Sequence, residues 1–255
     1  MAADGIAFER VSYALPDGRL LVREVSLNVD PGTTTAVLGR SGSGKTTLLR
    51  MVNGLVRPTA GRVLVGGRDV AAEDLIALRR GIGYVIQETG LFPHMTVERN
   101  AGMVLELAED SGEQRGTAKN SQARVAEVLA LAGLDFAEFR RRYSWQLSGG
   151  QRQRVGLARA LAADPSVLLM DEPFGALDPM TRAEMQTMVL ELFKRVKKTV
   201  LLVTHDLDEA LYLASRVVFL EAGEVVADLA ASEVLGSANP HVRGYVNAVH
   251  RAVKA

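Results

Sequence analysis

Gly39-Arg40-Ser41-Gly42-Ser43-Gly44-Lys45-Thr46 has the form G-x-x-x-x-G-K-[ST], a complete phosphate-binding loop. Before it, Thr34-Thr35-Ala36-Val37-Leu38 is an apolar, β-prone run. After it, Lys45-Thr46-Thr47-Leu48-Leu49-Arg50-Met51-Val52 has helical spacing with no breaker before Gly54. Strand, glycine loop and helix in this order are the context the motif requires. The glycines let successive backbone N–H groups turn inward as a concave anion site, and the helix N-terminus adds its partial positive charge. Lys45 then reaches the β- and γ-phosphates and the Thr46 hydroxyl ligates Mg²⁺. A bare glycine-rich turn is the rival reading, and the flanking strand and helix disfavour it. The eight residues of the loop, with Thr47 behind them, are the candidate nucleotide-binding residues.

A second phosphate-binding helix end lies far downstream. Leu147-Ser148-Gly149-Gly150-Gln151 leads into Arg152-Gln153-Arg154-Val155-Gly156-Leu157-Ala158-Arg159-Ala160-Leu161-Ala162. Ser148 is a good helix N-cap, and Gly149 and Gly150 expose backbone N–H groups at the helix start. Val155, Leu157, Ala158, Leu161 and Ala162 give that helix an apolar face that anchors it. A chain that already has its own phosphate loop and carries a second such end implies two copies meeting around shared nucleotides.

With this motif the chain resembles the ATPase subunits of ATP-binding-cassette (ABC) transporters, whose signature is LSGGQ. The resemblance implies an α/β P-loop NTPase of ABC type: a RecA-like parallel sheet core, an antiparallel β layer and an inserted helical lobe. It implies that the signature of one protomer, Ser148 to Gln151 here, closes on the γ-phosphate held by the other's glycine loop.

Ser166-Val167-Leu168-Leu169-Met170-Asp171-Glu172 is apolar throughout until its two terminal acids, which fits a strand buried on both faces of a parallel sheet. Ligands of such sheets bind at the carboxyl ends of the strands. Adjacent side chains there point opposite ways, so Asp171 and Glu172 need not share a role. By the resemblance, Asp171 holds Mg²⁺ through a water and Glu172 is the general base. Pro173-Phe174-Gly175-Ala176-Leu177-Asp178 matches the family's D-loop, with Asp178 at a dimer interface. Lys198-Thr199-Val200-Leu201-Leu202-Val203-Thr204-His205-Asp206 is another buried run with a polar end. There His205 matches the switch histidine and Asp206 is a helix N-cap. The other histidines, His94, His241 and His250, read as surface or satisfied core residues. Gln87, after Ile82-Gly83-Tyr84-Val85-Ile86, matches the glutamine loop, which joins Thr46 and Asp171 around Mg²⁺. At the position where the family stacks adenine on an aromatic residue this chain has Leu15. Two readings stay open: the register shifts so that Tyr13 stacks, or adenine packs on an aliphatic side chain.

Length and composition fit a compact enzyme. The 255 residues are 47% hydrophobic, with 30 basic against 30 acidic side chains. Nothing in that balance suggests a disordered chain or a polybasic nucleic-acid-binding face. The absence of cysteine excludes disulfides. The N-terminus lacks the basic and apolar segments of a signal peptide, and every apolar run is strand-sized rather than membrane-spanning. The expectation is a single ABC ATPase domain over 1–255, peripheral on the cytoplasmic face of the membrane. Its core lobe would be 1–91 with 163–255, and its helical signature lobe 92–162. Strands are expected over Phe8 to Val29, broken at Pro16-Asp17-Gly18, and over Arg62 to Val65. A helix is expected from Arg182 to Lys198, and a strand pair over Val217 to Leu220 and Val225 to Asp228. Glu109 to Gln122 reads as an exposed loop.

Leu91, Phe92, Met95 and Val97, directly after the glutamine loop, form either a seat for a membrane partner's helix or packing for the helical lobe. Resemblance favours the seat. This stretch, Met51 to Gly61, and Asn239-Pro240-His241-Val242 look like the importers of glycine betaine, choline and related osmoprotectants. The implied partners are a second ATPase subunit, an integral membrane permease and, indirectly, a substrate-binding protein, with no nucleic acid. Many relatives carry a regulatory domain after the ATPase. With the sequence ending at Ala255, such regulation is expected to be absent or to come from another subunit. The rival readings are a soluble ABC ATPase acting on DNA or ribosomes, and an importer subunit for another small solute.

Overall fold

A computed structural model describes residues 3–110 and 118–249. In chain order the elements begin β1 (Ile6–Ala14), β2 (Leu20–Val29), β3 (Thr34–Leu38), α1 (Lys45–Val52), β4 (Ala60–Val65), β5 (Arg68–Asp69), α2 (Leu75–Arg80) and β6 (Ile82–Val85). Four helices follow: α3 (Val97–Asp110), α4 (Ala118–Leu131), α5 (Phe136–Phe139) and α6 (Gly149–Leu161). Then come β7 (Val167–Asp171), α7 (Pro179–Val196), β8 (Thr199–Thr204), α8 (Leu207–Leu213), β9 (Arg216–Glu221), β10 (Glu224–Ala230) and α9 (Pro240–Val249). Contacts divide the chain into two units, one of residues 3–78 and 199–255, the other chiefly of residues 79–198.

The first unit contains two β layers. One is antiparallel, in the order β2-β1-β4-β5. Burial alternates over Ile6 and Phe8 of β1 and over Val25, Leu27 and Val29 of β2, while Val11 re-enters the core after a register shift in β1. That period-two pattern is what a sheet with one covered face requires. In the other layer β3 lies between β8 and β9, parallel to both, and β10 closes the edge antiparallel to β9. Here Ala36, Val37, Leu38 and all of β8 are buried with no alternation, as expected of strands covered on both faces. Each fully buried Val or Leu contributes about 1.5–3 kcal/mol of transfer free energy, so these runs form the core that fixes the loops at their carboxyl ends. The tip between β9 and β10 reaches β2: Arg23 N–H donates to Gly223 O at 2.8 Å.

The second unit pairs β6 with β7 in parallel and packs α3, α4 and α6 together. The segment expected as an exposed loop over Glu109 to Gln122 is shorter than that. Its start belongs to α3 and its end to α4, while residues 111–117 lie outside the described structure. The amide of Gln122 donates to Glu98 Oε1 at 2.8 Å, so the polar residues near its end serve as an inter-helix contact. The helix expected from Arg182 to Lys198 instead begins at Pro179, three residues earlier, where Asp178 caps it and proline occupies the first turn. It ends at Val196 with Lys197 in the left-handed conformation. Lys198 therefore leaves the helix, and its buried ammonium donates to Asp164 Oδ1 at 2.8 Å. Among the described residues no helix is long and apolar enough to cross a membrane.

Candidate active site

The phosphate loop runs from the buried end of β3 to the start of α1. Gly42 and Gly44 have φ of 80° and 100°, a region open to glycine at little cost. A side chain on Gly44 would also lie 2.5 Å from Leu21 O, so β2 closes directly on the loop's end. Lys45 is buried, and its Nζ donates to Gly39 O at 2.8 Å and Arg40 O at 3.0 Å. The ammonium is thus held against the loop by the loop's own carbonyls. The buried Ser43 Oγ has no hydrogen-bond partner among the described residues. An orphaned hydroxyl inside a cradle of left-handed glycines and one captive lysine is the donor set of an anion site, and it fits a polyphosphate.

The same unit carries the expected histidine. His205 is exposed directly after β8, and Asp206 caps α8 by accepting from Glu209 N at 3.1 Å, as the sequence implied. Tyr13 lies opposite Val22 in the β1–β2 ladder. Cross-strand partners share a face of the sheet, and Val22 Cγ2 lies 3.3 Å from the position of a Gly44 Cβ. Tyr13 is therefore on the face that adjoins the loop's end, while Leu15 has already entered the turn closed by its N–H to Arg19 O.

The second unit gathers the acids. β7 delivers Asp171, 3% exposed, with Tyr84 OH donating to its Oδ2 at 3.3 Å. Glu172 follows with φ of 45°, a left-handed conformation uncommon for a non-glycine residue. This turn re-aims the second carboxylate, and Gln87 Nε2 donates to its Oε2 at 3.4 Å. Gln87, Asp171 and Glu172 are thus brought together by the β6–β7 pair. At the signature, Ser148 and Gln151 form a reciprocal capping box. Gln151 N–H donates to Ser148 Oγ at 3.2 Å and Ser148 N–H donates to Gln151 Oε1 at 2.9 Å. Asp178 caps α7 by accepting from Thr181 N at 3.1 Å. Hydrogen bonds from Thr181 hold its carboxyl below the usual aspartate range.

Three residues escaped sequence reading. Arg159, on the signature helix, donates to Thr89 O at 2.7 Å and Gly90 O at 2.8 Å, and burial lowers the guanidinium's pKa. Gln153 Nε2 reaches Gln87 O at 3.4 Å. The signature helix therefore holds the glutamine loop through two side chains, which only the contact itself discloses. Asn100, fully buried, donates to Phe92 O, Met95 O and Thr96 O and accepts from Phe92 N. It fixes the segment suspected of receiving a partner helix. Within that segment Val97 is core, whereas Phe92 is exposed and meets His94 edge-on at 5.9 Å. His94 is exposed, His241 contacts Glu221 Oε2 at 2.7 Å, and His250 lies outside the described residues.

Residues 22–175 match the family described as ABC transporter. The chain is 43% identical over 242 residues to the carnitine transport ATP-binding protein OpuCA of Listeria monocytogenes, covering 94% of this chain and 59% of that protein. It is 45% identical over 221 residues to the glycine betaine uptake system ATP-binding protein YehX of Escherichia coli, covering 87% and 69%. Among solved structures, a dimeric ATP-binding cassette in a post-hydrolysis state, bound to ADP and Pi, superposes with a TM-score of 0.78 at 32% identity. That match covers 89% of this chain and 98% of the other.

Proposed function

The chain belongs to the ABC transporter family, and from that premise we propose that it is the ATPase subunit of an importer for a small polar solute. The solute class we favour is the osmoprotectants, such as glycine betaine, choline or carnitine, because relatives named for these cargoes align over most of this chain. The observation that carries the ATPase reading is the pair of phosphate-binding helix ends in one chain. One precedes α1 and holds its own lysine; the other precedes α6, is capped by Ser148, and has none.

In this reading two copies close on two ATP molecules and open after hydrolysis. Residues Gly39 to Thr47 bind the phosphates of a protomer's own nucleotide, with Tyr13 beside the base. Ser148, Gly149, Gly150 and Gln151 close on the nucleotide of the other copy, and Asp178 lies at the interface. Glu172 accepts a proton from the attacking water, whose orientation His205 fixes through the γ-phosphate. A neutral hydrogen-bond donor at Gln87 suits a group that reports whether that carboxylate is engaged. When bound, Mg²⁺ supplies charge neutralisation at the phosphoryl oxygens, with Thr46, Asp171 and Gln87 as its holders. The helical lobe, taken as 92–162, would pass closure to a permease helix seated at Phe92, on the cytoplasmic face of the membrane.

The test is affinity purification of the tagged chain from detergent-solubilised membranes, with ATPase assays on the wild-type complex and on Glu172→Gln. A multispanning permease in equal copy number and hydrolysis abolished by the substitution are expected, with the variant accumulating as an ATP-bound dimer. Exclusively soluble partners would overturn the importer reading, and wild-type turnover by the variant would remove Glu172 as general base.

A further inference from the structure

The C-terminal helix α9 lies against the phosphate-loop end of its unit. A cavity of about 440 Å³ has Gly39 to Ser43 on one side and Pro240, His241, Gly244 and Tyr245 of α9 on another. Two side chains of α9 tie it down one turn apart. His241 Nδ1 lies 2.7 Å from Glu221 Oε2, at the end of β9. Tyr245 packs edge-on against Phe219 with ring centres 5.9 Å apart, and its hydroxyl donates to the backbone carbonyl of His205 at 2.6 Å.

His205 sits at an exposed junction. β8 ends at Thr204, and α8 begins only at Leu207 under the Asp206 cap. A residue between strand and helix has its φ and ψ set by neither hydrogen-bond ladder. The peptide after it is restrained on one side by Asp206 N–H donating to Thr204 Oγ1 at 3.0 Å. Tyr245 supplies the opposing restraint, from an element more than thirty residues away in sequence. The strand that carries Phe219 also approaches the loop itself, since a Cβ on Gly39 would stand 2.2 Å from Leu220 O. The helix, the histidine and the start of the phosphate loop thus share one support.

We propose that Tyr245 is a positioning residue for the hydrolytic step: its hydroxyl fixes the His205 backbone, and with it the direction of the imidazole toward the γ-phosphate. The inference rests on the reading of His205 given above and extends it to α9, which becomes the element whose displacement would switch turnover without emptying the nucleotide site. A catalytic group displaced by a fraction of an ångström loses rate while ground-state binding persists. One neutral hydrogen bond is worth a factor of about five to ten in a rate that depends on it.

The experiment compares Tyr245→Phe and His205→Gln with wild type in ATP hydrolysis, equilibrium ATP binding and thermal unfolding. Phenylalanine keeps the ring on Phe219 and deletes the hydroxyl alone. The expected result for Tyr245→Phe is kcat lowered about five- to tenfold, with KM and the Kd for ATP changed by less than about twofold and an unfolding midpoint close to wild type. A kcat within about twofold of wild type overturns the proposal. So does a parallel loss of binding and thermal stability, which would make Tyr245 an ordinary packing residue. Full activity in His205→Gln would instead remove the reading of the histidine itself, whatever Tyr245→Phe does. Loss of activity in His205→Gln beside an unaffected Tyr245→Phe would remove the inference alone.

Discussion

A Cβ built on Gly39 would lie 2.2 Å from Leu220 O and 2.8 Å from Ser43 Oγ. The first of these is backbone of a buried strand, which has no room to retreat. At Gly42 nothing lies within 4 Å, but φ is 80°. The two glycines therefore fail differently on substitution. Gly39→Ala must displace the loop from β9 and should abolish measurable ATP binding. Gly42→Ala adds left-handed strain of about 1–2 kcal/mol and should weaken binding roughly tenfold. Titration with a fluorescent ATP analogue separates them, and equal effects would show that the contact of Gly39 with Leu220 O is relieved as easily as the strain at Gly42. At this scale much of the site was legible. The spacing of Gly39 to Thr46 announces a nest of amides, and Ser148 before two glycines announces a helix N-cap, though not the reciprocal bond from Gln151. Glu172 was readable as a carboxylate after a buried strand, but its left-handed φ was not, because no glycine or asparagine marks that position. Arg159 and Gln153 were invisible for a related reason. A polar side chain on a helix gives no sign of which distant carbonyl it will meet.

Among the elements, α1 followed from helical spacing and β3, β7 and β8 from unbroken apolar runs, whereas the two-residue β5 was not expected and helix ends were misjudged where polar residues dominate. Asp178 with Pro179 is a strong start signal for α7, a cap followed by proline in the first turn. It was obscured because Asp178 had been assigned to a loop. At the other end of α7, Lys198 leaves the helix and turns inward. The hydrogen bond from its ammonium holds the Asp164 carboxyl down to about 2, from an ordinary value of 3.8. A carboxylate whose folded pKa is depressed adds stability above its unfolded pKa, and that contribution is lost as pH falls through the folded value. Asp164 also has φ of 50°, a conformation that asparagine tolerates. Asp164→Asn therefore removes charge without adding backbone strain. With the aspartate side chain half exposed, screening limits the effect to about 1 kcal/mol. Urea unfolding should show the variant less stable by this amount at neutral pH. The gap should shrink as pH drops from about 4 toward 2, following the titration of the carboxylate. A gap that persists unchanged at low pH would assign the loss to packing instead of the ion pair.

For the whole molecule, composition and motif order were enough to indicate the fold class, but strand order was not readable. β3 takes β8 and β9 as its neighbours, partners more than 160 residues away. Strands buried on both faces read as uninterrupted apolar runs, so none carries a pattern that specifies its register or its neighbour. Function at this scale rests on a division of labour that the chain states twice. The phosphate loop has a lysine held at 2.8 Å and 3.0 Å by its own carbonyls and needs no help to bind an anion. The signature end of α6 has two glycines and a serine cap but no counterpart of Lys45; its nearest cation, Arg152, donates to Leu147 O at 2.8 Å. If that end serves the nucleotide of a second copy, Ser148→Arg should leave ATP affinity of the isolated protomer unchanged. The bulky cation would break the capping box at about 1 kcal/mol and obstruct the approach of the other protomer. ATP-driven dimerisation should then disappear. Calorimetric titration with ATP and sedimentation with and without the nucleotide read the two properties independently. Unchanged affinity with the dimer lost is the outcome that a signature acting across the interface requires. Loss of affinity in the monomer would mean that the signature serves its own chain's nucleotide, and the argument from two helix ends to two copies would fail.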